Sequence, residues 1–279
     1  MFTEEAIEAL TQAESISAAN AALTQTVAPT NGEAAIALPE SFKVHDLEHY
    51  LPTRRRLRGS MTTPTLADFA SYTIDNKEAG ATVFVNPDAM QAVAVLNLGT
   101  PASPGHGDNR AVLAPPKTAA FSALLSIASG SQRRQTDVAE YLEDWAPLIR
   151  CENDAGDDVP VKLAAAAVRK LTIEGTKRLE TSEQSLSASR SAFEQVRATA
   201  VDTLPVFINV TCEPYQGLAD RTFRLRLGIV TGDKPALVLR VAKREQHDEE
   251  MAQELAQLVR GALTGSDVPV LVGSYSLNG

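Results

Sequence analysis

Two short stretches set histidines beside carboxylates. In FKVHDLEHYLPTRRRLRGS, residues 42–60, His45 and His49 stand four apart with Glu48 just before the second. That is the H-x-x-E-H order of one class of zinc metalloprotease. The chemistry needs a helix, which would bring both imidazoles to one face and hold the carboxylate near as a base. Pro52 follows His49 by three residues, so any helix here is very short. The competing reading is an amphipathic turn with Phe42, Val44, Leu47 and Tyr50 packed inward. In PGHGDN, residues 104–109, His106 and Asp108 form an H-x-D pair that could bind a metal or orient a general base. The same loop also reads as a tight turn built on Gly105, Gly107 and Asn109, and the sequence offers no identifiable third ligand.

Other reaction classes leave no trace. The chain contains no G-x-x-x-x-G-K-[ST] loop, no G-x-G-x-x-G after a strand and no G-x-S-x-G elbow. No cofactor is therefore expected, and no catalytic residue is assigned. The two cysteines, Cys151 and Cys212, have no histidine near them in sequence, and Cys212 falls inside an expected strand, where it reads as packing. Two cysteines make no disulfide framework and fit a reducing compartment.

The sharper signal is basic. Arg54, Arg55, Arg56 and Arg58 form a run, and a second set lies in RTFRLRLGIV and ALVLRVAKR. There Phe223, Leu225, Leu227 and Ile229 alternate on one strand, and Leu237, Leu239 and Val241 on the other. If both apolar sets face one core, the register is fixed, and Arg224, Arg226, Arg240 and Arg244 share the opposite face. Like charges across a ladder cost stability. In a chain of net charge −9, such a face calls for an anion. The source is either internal, from Glu245, Asp248, Glu249 or acids elsewhere in the chain, or external, from nucleic-acid phosphate or an acidic protein. Few aromatics accompany the arginines, which disfavours a base-stacking platform for single strands.

The elements that must position these residues are legible by period. Residues 1–36 read as an Ala/Thr-rich arm and linker, with a helix whose stripe is mostly alanine; residues 37–279 read as the folded domain. Thr63 and Pro64 signal a helix carrying Leu66, Phe69, Ala70 and Thr73 on one face. ATVFVNPDAMQAVAVLNLG reads as two strands around a turn, and RAVLAPP as a short third. Helices follow on Phe121, Leu124, Leu125 and Ala128, then on Val138, Tyr141, Leu142 and Trp145, then in KLAAAAVRKLTIEGTKRLE. LPVFINVTCEP, the arginine hairpin around TGDKP, a helix over residues 247–263 and the strand VPVLVGSYSL complete the chain. Strands and helices come in blocks, so the expected class is α+β with a largely antiparallel sheet. The acidic N-terminus and the lack of any apolar run near 20 residues lead us to expect a cytoplasmic protein without membrane contact.

Several long stretches carry a family likeness. LPESFKVHDLEHYLPTRRRLRG, VLNLGTPASPGHGDNRAVL, EYLEDWAPLI, CEPYQGLADRTFRLRL and VPVLVGSY together resemble the YfdQ-like family of uncharacterised phage and prophage proteins. The resemblance runs from about Leu38 to Tyr275 and carries no catalytic residues with it. It implies a phage or prophage gene product, made in the bacterial cytoplasm, of the kind found among genes for recombination, DNA metabolism or evasion of host defence. The expected function is a non-enzymatic, oligomeric accessory protein binding DNA or an acidic host protein through its arginines. The alternatives are a metal-dependent hydrolase centred on His106 and Asp108, and a structural protein that self-assembles through the arm or inhibits a host defence.

Overall fold

Alternation and helical spacing account for most of the elements found. The computed structural model describes residues 3–27, 48–171, 204–230 and 236–276, in two compact units, Met1–Leu57 and Arg58–Gly279. The boundary expected at residue 36 falls outside the described residues.

The first unit holds a helix of 24 residues, α1 (Glu4–Val27), with Glu4 and Glu5 in its first turn, where carboxylates complement the helix dipole. Its only other described element is a 3-10 turn at Glu48–Tyr50.

The second unit begins with β1 (Gly59–Thr63) and α2 (Leu66–Asn76). The helix starts two residues later than the Thr63–Pro64 signal predicts, because Thr63 closes the strand and Thr65 takes the cap position. Phe69, Ala70 and Thr73 are buried on one face of α2, as their spacing requires. β2 (Thr82–Asn86) and β3 (Gln91–Val95) form the expected hairpin. The two-residue strands β4 (Gly99–Thr100) and β5 (Ser103–Pro104) lead into β6 (Asn109–Leu113). Then come α3 (Ala119–Ile127), β7 (Ser129–Arg133), α4 (Gln135–Asp144), β8 (Ile149–Glu152), β9 (Asp158–Val159) and α5 (Val161–Arg169). β10 (Phe207–Cys212), β11 (Arg221–Val230), β12 (Ala236–Val241), α6 (Arg244–Ala262) and β13 (Val270–Val272) follow.

Among the described residues the longer strands form two sheets rather than one. The first runs β1-β6-β3-β2-β13, antiparallel at its centre and parallel at both edges, where β1 joins β6 and β13 joins β2. The second, β7-β12-β11-β10-β8-β9, is antiparallel throughout. The class is thus α+β with mostly antiparallel pairing. Helices α2 and α6 pack on the first sheet, and α3, α4 and α5 on one face of the second. One buried cluster joins the two, from Val83 and Ala94 through Phe121 and Leu142 to Phe223, Leu225 and Leu239. Three helices therefore cover one face of the second sheet and leave the opposite face to carry its polar residues.

Candidate anion-binding face

The burial of β11 alternates without a break from Thr222 to Ile229: Phe223, Leu225, Leu227 and Ile229 are buried, and Arg224 and Arg226 between them are exposed. On β12 Leu237 and Leu239 are buried, Val241 is half-buried and Arg240 is exposed. The antiparallel register sets Arg226 opposite Arg240 and Leu227 opposite Leu239. Both strands thus turn their arginines to one face, and two guanidinium-bearing positions are direct cross-strand neighbours.

Neighbouring strands add to that face at matching positions. Asp158, Glu152, Phe207, Arg226, Arg240 and Ser129 occupy one continuous row across β9, β8, β10, β11, β12 and β7. In the next row Arg150 pairs with Asn209 and Asn209 with Arg224. Charge is compensated unevenly along these rows. Arg224 donates to Glu152 Oε2 at 3.1 Å and lies 3.8 Å over the Phe207 ring. Asn209 donates to the other Glu152 oxygen at 2.8 Å. Arg150 meets Asp158 at 2.9 Å. Arg226 and Arg240 have no ion pair and no side-chain hydrogen bond among the described residues. Beyond them lie Ser129 and Gly130, and a Cβ on Gly130 would come no closer than 3.8 Å to Arg240 Nε. The acids sit at the β8–β9 end of the sheet, and the uncompensated cations sit toward β7.

Of the other expected basic residues, Arg244 leaves this face. Arg244 does not continue β12. Lys243 takes a left-handed backbone conformation at φ 53°, and Arg244 becomes the first residue of α6, 3.7 Å from Asp248. There it lines a cleft of about 370 Å³ with Lys117, Tyr215 and Asp248, and burial raises the Tyr215 hydroxyl pKa above its ordinary value. Of the arginine run, Arg54, Arg55 and Arg56 belong to the first unit and Arg58 opens the second. The Arg55 backbone N–H donates to the Glu48 carboxylate at 3.2 Å.

The two histidine patterns belong to different units. His49 lies at the 3-10 turn, its ring tilted against Tyr50 at 3.9 Å, and His45 is outside the described residues. His106 is exposed in the loop between β5 and β6. Asp108 accepts from Asn97 Nδ2 at 2.9 Å, and its backbone carbonyl accepts from the Gly59 N–H. The buried Asn97 also accepts from the Asn109 N–H through its side chain, so the carboxamide ties both ends of the loop. A Cβ on Gly105 would stand 2.1 Å from the Asn97 carbonyl oxygen, a packing reason for glycine there. Among the described residues no three His, Cys, Asp or Glu side chains cluster closely enough to hold a metal ion.

Cys151 and Cys212 are buried on β8 and β10, and burial pushes their thiols up to about 12 and about 11. A thiol held neutral in this way is a packing group rather than a nucleophile. No helix among the described residues is long and apolar enough to cross a membrane.

Reading the sequence strand by strand misses Glu152, Asn209 and Phe207, which complete the polar face. IRCE carries the same alternation as β11 in miniature, with Ile149 and Cys151 inward and Arg150 and Glu152 outward. Fold and site together define an α+β protein with an arginine-bearing sheet face. It belongs to the family described as "Uncharacterized conserved protein (DUF2303)", whose model matches residues 4–275. No curated protein matches the chain, and no solved structure matches it either.

Proposed function

We propose that this is a phage- or prophage-encoded accessory protein that binds the phosphate backbone of DNA, without catalysing a reaction, through the open face of its six-stranded sheet. One observation carries the reading: Arg226 and Arg240 face each other across β11 and β12 with no carboxylate partner among the described residues. A phosphate between two guanidiniums relieves their repulsion and makes charge-assisted hydrogen bonds to both. Arg150 is held by Asp158 in an exposed pair of small net value, from which a phosphate can draw it, whereas Arg224 stays on the largely buried Glu152. Phage origin and a role in recombination, replication or host takeover rest on the family likeness alone.

The face has few ligands, so binding is weak, and its log–log salt slope reflects only the few phosphates it contacts. Fluorescence anisotropy of a labelled duplex over a salt series tests this, with Arg226→Gln/Arg240→Gln as the comparison. Loss of two phosphate contacts should lower the magnitude of the log–log salt slope by roughly 2. Absence of binding at low salt, or binding unchanged in the double variant, removes the DNA reading. Selective retention of polyglutamate over duplex would reassign the face to an acidic protein.

A further inference from the structure

The five-stranded sheet ends in an open edge beside a groove. Strand β13 pairs with β2 on one side, and among the described residues no strand lies on its other side. Val83 N–H donates to the Pro269 carbonyl, and Gly273 N–H to the Val85 carbonyl. Peptide groups alternate in direction along a strand, so Val270 and Val272 turn their N–H and C=O away from β2. Sheets usually cover or blunt such an edge. Here Leu271 is 50% exposed, Val272 57% and Tyr275 37%.

Helix α6 overhangs the same edge. Val272 stands level with the buried Val85, so its side chain lies on the helix-covered face. With no strand beyond it, Val272 and the flank of α6 enclose a groove of about 430 Å³ that reaches the buried Ala252 and Ala256. Glu249 and Arg260, about 17 Å apart along α6, mark its two ends. Neither has an ion pair or a side-chain hydrogen bond among the described residues. On the outer face Leu271, Phe84, Val93 and Val112 form one apolar row across β13, β2, β3 and β6. Tyr275 stacks on Phe84 there at 5.1 Å. A strand added at this edge would find apolar surface on both of its faces.

We propose that an extended peptide segment of a partner protein joins this sheet as a sixth strand, antiparallel to β13 and seated between β13 and α6. Antiparallel pairing is the stronger geometry. The chain turns back over residues 263–269 between α6 and β13, so helix and strand run in opposite directions. A segment antiparallel to β13 therefore runs from Glu249 toward Arg260. Charge then fixes its chemistry: a basic residue first and an acidic one six positions later, a span of about 20 Å. Between them, residues level with Val272 and Val270 enter the groove and are apolar, and the one level with Leu271 extends the outer row. A second copy of β13 lacks this pattern. Paired antiparallel about Leu271, it would set its Val268 and Ser274 where the two charges belong. Strand addition is independent of the arginine face, which lies on the other sheet.

The probe is a fluorescent heptapeptide, lysine-threonine-valine-isoleucine-valine-threonine-glutamate, titrated by anisotropy into the full chain. It should bind better than the same peptide with lysine and glutamate exchanged. Arg260→Glu should reverse that preference, by roughly fivefold for one exposed ion pair. Val272→Pro should weaken binding by about fivefold or more, since it removes an N–H that the native sheet does not use. If Val272→Pro fails to fold, the Arg260→Glu exchange still decides. Absence of binding up to millimolar peptide overturns strand addition, as does an unchanged affinity in a folded Val272→Pro. A preference for the exchanged peptide in the parent overturns the antiparallel direction. Light scattering that gives twice 29.8 kDa for the parent and one chain for Val272→Pro would hand the edge to a second copy and overturn the partner peptide.

Discussion

Arg226 on β11 stands directly across from Arg240 on β12, while Arg224, two residues along the same strand, is neutralised by Glu152 from β8. The contrast separates a structural arginine from one whose charge is left over. Opposed like charges in a ladder cost up to about 1 kcal/mol. The sheet carries that cost where an anion would remove it. Replacing Arg240 with Glu turns the clash into a cross-strand ion pair. The variant should be more stable than the parent by a few tenths to about 1 kcal/mol at low salt, and should lose anion binding. A urea melt at low ionic strength reads the first effect. A less stable variant would mean that the two guanidiniums are not in conflict.

How much of this face was legible in the sequence depends on the range of the contact. The strict alternation of RTFRLRLGIV dictates which residues point inward, and the short hairpin dictates that Arg226 and Arg240 meet. Glu152 was hidden because 72 residues separate it from Arg224, and no local pattern reports that β8 lies on the far side of β10. Arg244 was misplaced because nothing in VAKR announces a strand end; the left-handed turn at Lys243 is neither glycine nor asparagine. The division into two sheets was equally invisible. It rests on the parallel pairings of β1 with β6 and of β13 with β2, which join segments far apart in the chain. β7, with no large apolar side chain in SGSQR, gives no strand signal and forms only because β12 offers it an edge.

A second arginine of β11 does structural work. Arg221 is 17% exposed and donates to Glu250 and to Glu254, each at 2.8 Å, fastening α6 to the strand. Glu254 also accepts from the Ala219 N–H. Glu254→Gln leaves a half-buried guanidinium short of charge and should cost about 1–3 kcal/mol in a denaturant titration.

The same fastening sets the acid sensitivity. The hydrogen bond from Gln246, joined by that from Arg221, holds the Glu250 carboxyl below its ordinary value of 4.5. A carboxylate depressed in the folded state contributes fully above its unfolded pKa and loses that contribution as pH falls through the folded one. Thermal stability should therefore drop on acidification below the ordinary carboxylate range, and Glu250→Gln should flatten that part of the profile. Equal slopes for parent and variant in melts across the acid range would dissociate Glu250 from the effect.

The two cysteines give a prediction of opposite sign. Burial raises both thiols, to about 12 for Cys151 and about 11 for Cys212, so the folded state resists forming thiolate. Their contribution to stability is present below the ordinary thiol value of 9.0 and is lost as pH rises toward the folded values. At mildly alkaline pH a thiol-reactive disulfide should label neither residue in the native protein and both after unfolding. Rapid labelling of either one in the folded chain would contradict its burial.

The loop around His106 allows histidine chemistry and backbone packing to be told apart. Gly105 sits where a Cβ would be 2.1 Å from the Asn97 carbonyl oxygen and 2.8 Å from the Gly99 nitrogen, both backbone atoms that cannot swing aside. Gly105→Ala must therefore displace the chain that Asn97 knits together, at a cost of about 3 kcal/mol or more. His106 is exposed, so His106→Ala should change stability by less than about 0.5 kcal/mol. The two substitutions, compared by thermal melting, give opposite answers for a loop shaped by packing and a loop organised around its imidazole. A His106→Ala variant as damaged as Gly105→Ala would return the H-x-D pair to consideration as a functional centre, since an exposed side chain with no structural task should not be missed.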